Sequence, residues 1–267
     1  MIGFAESFLV WVASTFIPGF LGLFVITWAG RRLGPTYIAA FALGIFLWFF
    51  VDTISGSAVL DVNNGFNGGF AQFGVVILFL AGVLFFFTID RNRGIFAPES
   101  AIGKYGLIIP MLAAIAVGIH GLGEGAAYGA TAHSTSSTSL IDAFGGFTAG
   151  VAYVLHKGLE PMMIGACYVG YYEGKGVKVA SSLRNLLLLS ILFVLPSLLG
   201  AATGYFYPWD ATYAFALGTG TSIYAFFRLS APLFLTGKGV PSRQTLKIAI
   251  AWILGFIAIY FAALFHS

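Results

Sequence analysis

Long apolar runs alternate along the chain with short polar connections. Eight runs are long enough to cross a bilayer as helices: Ser7–Trp28, Tyr37–Leu60, Phe70–Ile89, Tyr105–Ala130, Ile141–Tyr171, Leu183–Tyr205, Ala211–Leu229 and Leu246–Phe265. About 20 helical residues cover the roughly 30 Å hydrocarbon layer. None of the runs has the strand-length alternation of a membrane barrel. The pattern predicts an all-α, polytopic helical bundle with eight transmembrane helices, forming a single domain over residues 1–267.

Charge sorts the connections into two sets. Arg31 and Arg32 follow the first run; Arg91, Arg93 and Lys104 separate the third from the fourth. Lys175, Lys178 and Arg184 separate the fifth from the sixth, and Arg228, Lys238, Arg243 and Lys247 surround the last connection. The stretches Asp61–Gly69, Thr131–Leu140 and Phe206–Asp210 have no Lys or Arg. Basic loops stay cytoplasmic, so both termini are predicted outside, in a multi-pass protein of the cell membrane. No basic segment precedes the first run, which reads as a retained helix.

Composition agrees. The chain is 59% hydrophobic and 9% charged, with a mean hydropathy of +0.93. Soluble domains carry about 25% charged residues, so these charges could not solvate a water-exposed surface. The 35 glycines suit close helix packing in lipid. Cys167 is the single cysteine, which excludes an intramolecular disulfide and a thiolate metal cluster. The net charge of +3 is spread over loops and does not indicate nucleic-acid binding.

Two polar stretches interrupt the apolar pattern. Ile119-His120-Gly121-Leu122-Gly123-Glu124-Gly125 lies in the fourth run, and Leu155-His156-Lys157-Gly158-Leu159-Glu160-Pro161 lies in the fifth. Each puts a His and a Glu four positions apart, which stacks them on one helix face. Ionisable groups inside a membrane are costly and usually line a path or a site. If the two runs are neighbours, His120, Glu124, His156 and Glu160 make a four-ligand cage for a first-row divalent cation. The plainer alternative is a pair of helix-packing histidines, each bonded to a hydroxyl or a carbonyl. Two copies of the spacing on successive runs favour the cage. Pro161 would free the carbonyl of Lys157 beside it. His133, in a Ser/Thr-rich outer loop, is a weaker candidate for collecting metal.

These stretches resemble the ZIP (Zrt/Irt-like) family of divalent-metal transporters. The family's fourth-span motif, His-Asn/Ser-x-x-Glu-Gly, is matched by His120, Glu124 and Gly125. Its fifth-span motif, His-Glu/Lys-x-x-Glu, is matched by His156, Lys157 and Glu160. Gly56-Ser57-Ala58-Val59-Leu60-Asp61 is similar to the second-span motif Gly-Asp-Ala-x-x-His. Leu195-Pro196-Ser197-Leu198-Leu199-Gly200 is similar to the sixth-span Glu-Pro-x-Gly region, and Phe215–Thr219 with Tyr224 to the seventh-span pattern. The resemblance implies eight spans, outward termini and a metal site on the fourth and fifth spans.

The departures matter as well. Some family members hold a second metal, whose ligand positions here are Gly121, Lys157 and Leu195. The resemblance therefore implies a single-metal site, with the Lys157 ammonium standing where a second cation would sit and pairing with Glu124 or Glu160. The family's outer-mouth Asp and His are Ser57 and Asp61 here, and Asp61 is a candidate entry carboxylate. Asp52, two turns deeper, either pairs with Lys157 or lines the outer half of the path.

The expectation is a transporter, not an enzyme. It would pass a divalent cation (zinc first, then iron, manganese, cobalt or cadmium) into the cytoplasm by alternating access. The metal is cargo, and no separate cofactor is expected. Its partners would be the ion and the lipid bilayer, and glycines such as Gly200 and Gly204 would permit a homodimer. The runner-up is an intramembrane zinc-dependent hydrolase on the same ligands. Against it stand the absence of a spare general base and of a His-Glu-x-x-His signature. A bis-histidine haem protein is a third reading, disfavoured by the neighbouring Glu residues.

Overall fold

The computed structural model describes residues 2–57, 69–93, 107–135, 139–173, 179–234 and 242–264. The fold is all-α, and there is no strand among the described residues. The helices are α1 (Phe4–Leu33), α2 (Pro35–Ser57), α3 (Gly69–Arg93), α4 (Ile108–Ser134), α5 (Phe147–Leu159), α6 (Met162–Glu173), α7 (Val179–Phe206), α8 (Thr212–Phe234) and α9 (Ser242–Ala263). A short 3-10 turn, Asp142–Phe144, precedes α5. Among the described residues, four helices are long and apolar enough to cross a bilayer: Phe4–Gly30, Ile108–Ser134, Ser182–Phe206 and Arg243–Ala262.

Each predicted run falls on a helix, except that the fifth is divided. Its first part folds as the 3-10 turn. Gly145 (φ +85°) and Gly146 (φ +112°) then redirect the chain into α5, a conformation glycine adopts without a Cβ penalty. The second division comes at Glu160-Pro161, between α5 and α6. Pro161 has no N–H for the helical ladder, so α5 ends where Glu160 N–H meets His156 O at 3.0 Å. The helix break thus lies inside the candidate site.

Burial is arranged for lipid rather than water. Large apolar side chains such as Leu84 (58% exposed), Leu199 (54%) and Phe261 (61%) face outward. Hydroxyls and charges such as Ser190, Ser197, Thr221, Lys157 and Glu160 are buried. With hydrocarbon outside, apolar burial cannot drive helix pairing, so close backbone contact must. Glycine supplies it between α4 and α7. A Cβ on Gly125 would lie 2.0 Å from Ser197 O, and one on Gly129 would lie 2.3 Å from Ala201 O. In return, Gly200 abuts Leu122 O and Gly204 abuts Ala126 O. The approach that Gly200 and Gly204 permit is therefore made within the chain. Gly44 and Gly255 bring α2 against α9 in the same way, and Gly82 and Gly220 bring α3 against α8.

Candidate metal centre

α4 runs unbroken through its polar motif, and its glycines and its ligands use different faces. Gly118, Gly121, Gly125 and Gly129 turn toward α7. His120 and Glu124, one turn apart, turn toward α5. The motif His-x-x-x-Glu in α5 ends at the break before Pro161, and Glu160 occupies the helix C-cap. His120, His156 and Glu160 are buried, and Glu124 alone of the four keeps some exposure, 16% of its side chain.

The four residues predicted as ligands come together. Each offers one ligand atom, and these atoms all lie within 4.8 Å of one another. His120 Nε2 is 3.0 Å from Glu124 Oε1 and 3.2 Å from Glu160 Oε1. His156 Nε2 also meets Glu160 Oε1. His120 Nδ1 lies 2.9 Å from Val117 O. A carbonyl can only accept, so Nδ1 carries the proton and donates. In the neutral ring Nε2 then presents a lone pair to two carboxylate oxygens. Such a convergence of lone pairs is favourable only with a positive charge among them. A helix carbonyl on Nδ1 is also the usual way a ligand imidazole is oriented. Tetrahedral N/O sites hold their ligands at about 2.0–2.2 Å from the ion.

Lys157 lies on the far side of the same carboxylates. Its Nζ is 2.6 Å from Glu160 Oε2 and in contact with Glu124 Oε2. Each carboxylate therefore has one oxygen toward the imidazoles and one toward the ammonium. The expected pairing of Lys157 with Glu124 or Glu160 is met with both at once. Gly121 supplies no ligand side chain, and a Cβ there would sit tightly against Ser197, 3.1 Å from its Cβ.

The side chains of the predicted entry residues fall outside what the structure describes. Asp52 and Ser57 lie in α2, where the backbone is described but these side chains are not. Asp61 lies outside the described residues. His133 lies on the last turn of α4, edge-on to Tyr205 at 5.1 Å, away from the cage. Cys167 is half-buried against the apolar core.

Several residues outside the predicted ligand set shape the site. Trp11 of α1 donates its Nε1–H to Ser197 Oγ at 3.1 Å. Its ring stacks on Tyr128 at 4.3 Å and on Tyr153 at 4.7 Å. Tyr153 shares a 3.2 Å hydrogen bond with Thr15, and Tyr128 donates to Ser7 O at 3.0 Å. Ser7, Trp11 and Thr15 follow at four-residue spacing, so one face of α1 fastens α4, α5 and α7 around the cage. On the other side, α8 touches α4 at the ligand itself. A Cβ on Gly218 would lie 2.4 Å from His120 Cα. Thr221 donates to Ala116 O at 3.0 Å, and Ser222 does so at 3.4 Å. Tyr153 was discoverable in sequence, one turn before Lys157 on α5. Ser197 and Gly218 fall within the stretches compared with the sixth- and seventh-span patterns, which did not reveal their contacts, and Trp11 had no local signal.

Bilayer-length apolar helices around a buried cluster of two His, two Glu and one Lys define a membrane protein with a candidate metal centre. No protein-family model matches the chain, and no curated protein matches it.

Proposed function

We propose that this chain carries a divalent transition-metal cation across the cell membrane into the cytoplasm, through the His120/Glu124/His156/Glu160 cage. Zinc suits two imidazoles and two carboxylates best, and iron, manganese, cobalt and cadmium are further cargo of the same donor set. The observation that carries the reading is the convergence of ligand atoms from α4 and α5 with the Nδ1–H of His120 already committed to Val117 O. That arrangement leaves Nε2 as the donor. The apolar outer faces and the charge alternation of the loops support eight spans with both termini outside.

In this reading the site holds one metal. Lys157 supplies the positive charge on the Oε2 side of both carboxylates, and the ion takes the Oε1 side with the imidazoles. Two carboxylates, one ammonium and one divalent ion leave a residual charge of about one unit, cheap enough to enter and leave. The cycle exposes the cage to each side in turn, by movement of one block of helices against another. The break at Glu160-Pro161 puts irregular backbone beside the cage, as in transporters whose broken helices line a site. The same resemblance to the ZIP family supports the assignment.

The test is metal uptake into proteoliposomes. Replacing His120, Glu124, His156 or Glu160 by Ala is expected to reduce Zn²⁺ uptake at least about tenfold, as loss of a ligand or its supporting partner typically does. Uptake at the unaltered rate in all four variants would end the proposal.

A further inference from the structure

Lys157 poses a problem for the proposed metal site. Its ammonium holds the Oε2 side of the two carboxylates that the ion also needs, so a bound ion draws on the charge of both of its ion pairs. A buried ammonium stripped of partners is among the costliest groups in a protein interior. The structure places a second set of partners around the same atom. Lys157 Nζ lies 5.6 Å from the ring centroid of Tyr153 and 5.6 Å from that of Phe193. Both are within the roughly 6 Å over which an aromatic face attracts a cation, and desolvation strengthens that attraction.

Both rings are held in place. Tyr153 is stacked on Trp11 and bonded through its hydroxyl to Thr15. Phe193 is buried at 2% exposure, and the α1 backbone at Gly19 comes close enough that a Cβ there would touch its ring at 3.3 Å. They come from different helices, α5 and α7. Both rings and both carboxylates thus lie around a single ammonium.

We propose that Tyr153 and Phe193 form an aromatic cradle that holds the Lys157 ammonium while a divalent cation occupies Glu124 and Glu160. Metal and ammonium then share the carboxylates instead of excluding one another. Lys157 keeps its charge and stays in the bundle, and the cradle sets how far the pairing with Glu124 and Glu160 can loosen. Tyr153 and Phe193 are thus positioning residues that act on the metal through Lys157. The inference rests on the reading of the cage as a metal site.

The experiment is a double-mutant cycle on the full chain in detergent, read as Zn²⁺ affinity by titration calorimetry. The pair Tyr153→Leu/Phe193→Leu is expected to weaken Zn²⁺ at least about tenfold when Lys157 is present. In a Lys157→Met background the same pair is expected to change affinity less than about twofold. Returning a ring at position 153, as Tyr153→Phe with Phe193→Leu, is expected to recover a large part of the loss. An equal loss with and without Lys157 would reduce the rings to packing and overturn the proposal, as would no loss when Lys157 is present. Zn²⁺ binding by the unaltered chain without the coupling removes only the cradle. No Zn²⁺ binding by the unaltered chain removes the metal centre and the cradle with it.

Discussion

Replacing Lys157 by Met keeps most of the length of the side chain and removes one charge that two buried carboxylates share. Lys157 is 1% exposed and Glu160 is fully buried. Its Nζ is 2.6 Å from Glu160 Oε2 and touches Glu124 Oε2. Removing one member of a buried ion pair typically costs about 3–5 kcal/mol, because the charge left behind has no compensation. Here one removal strands two carboxylates, so the upper half of that range is expected. Against a total stability of about 5–15 kcal/mol, the metal-free variant should be severely weakened. A divalent ion in the cage replaces the lost charge. At a free Zn²⁺ concentration about a hundredfold above the unaltered chain's Kd, where that chain gains roughly 2.7 kcal/mol, the variant should therefore gain more. The assay is unfolding in mixed micelles, with chelator and with Zn²⁺, for the unaltered chain and Lys157→Met. A companion variant, Lys157→Met/Glu124→Gln/Glu160→Gln, removes all three charges and should be far less destabilised in chelator, and indifferent to Zn²⁺. A metal-free loss below about 1 kcal/mol, the level of an exposed pair, would refute the claim that the ammonium offsets both carboxylates. So would equal Zn²⁺ stabilisation of Lys157→Met and the triple variant.

Two further outcomes follow from the packing and charge of the site. Gly218→Ala would put a methyl 2.4 Å from His120 Cα; overpacking of this kind costs about 1–3 kcal/mol, and the shift of α4 against α8 should also lower Zn²⁺ affinity, measured by calorimetry, while Gly3→Ala, with open space at its Cβ, should do neither. Metal analysis of the purified chain should give one divalent ion per chain at this cage, and two ions with Lys157 intact would refute the single-ion arrangement.

Much of the site was legible because its logic is local. A His and a Glu four residues apart share a helix face wherever the helix goes, so α4 and α5 each announced half of the cage. Lys157 and Pro161 belonged to the same stretch, and both act at the centre: one bridges the carboxylates, the other ends α5 beside them. The all-α class was legible for a similar reason, since long apolar runs with few charges have no other way to satisfy their backbone in lipid. Asp61 was assigned a role from its place in the sequence, and it lies outside the described residues.

What the order of residues determined, then, was which segments are helical, that their outward faces are apolar, and which four side chains carry metal-binding chemistry. The meeting of α4 with α5, and the two-sided use of each carboxylate, was decided only in three dimensions. So was the role of residues whose importance depends on a neighbour far along the chain. Phe193 matters because its ring reaches an ammonium on α5, Ser197 because it receives Trp11 of α1, and Gly218 because a missing methyl lets α8 rest on His120. Helical periodicity constrains neighbours within a turn or two. Contacts between helices depend on how closely backbones approach, which no single segment encodes.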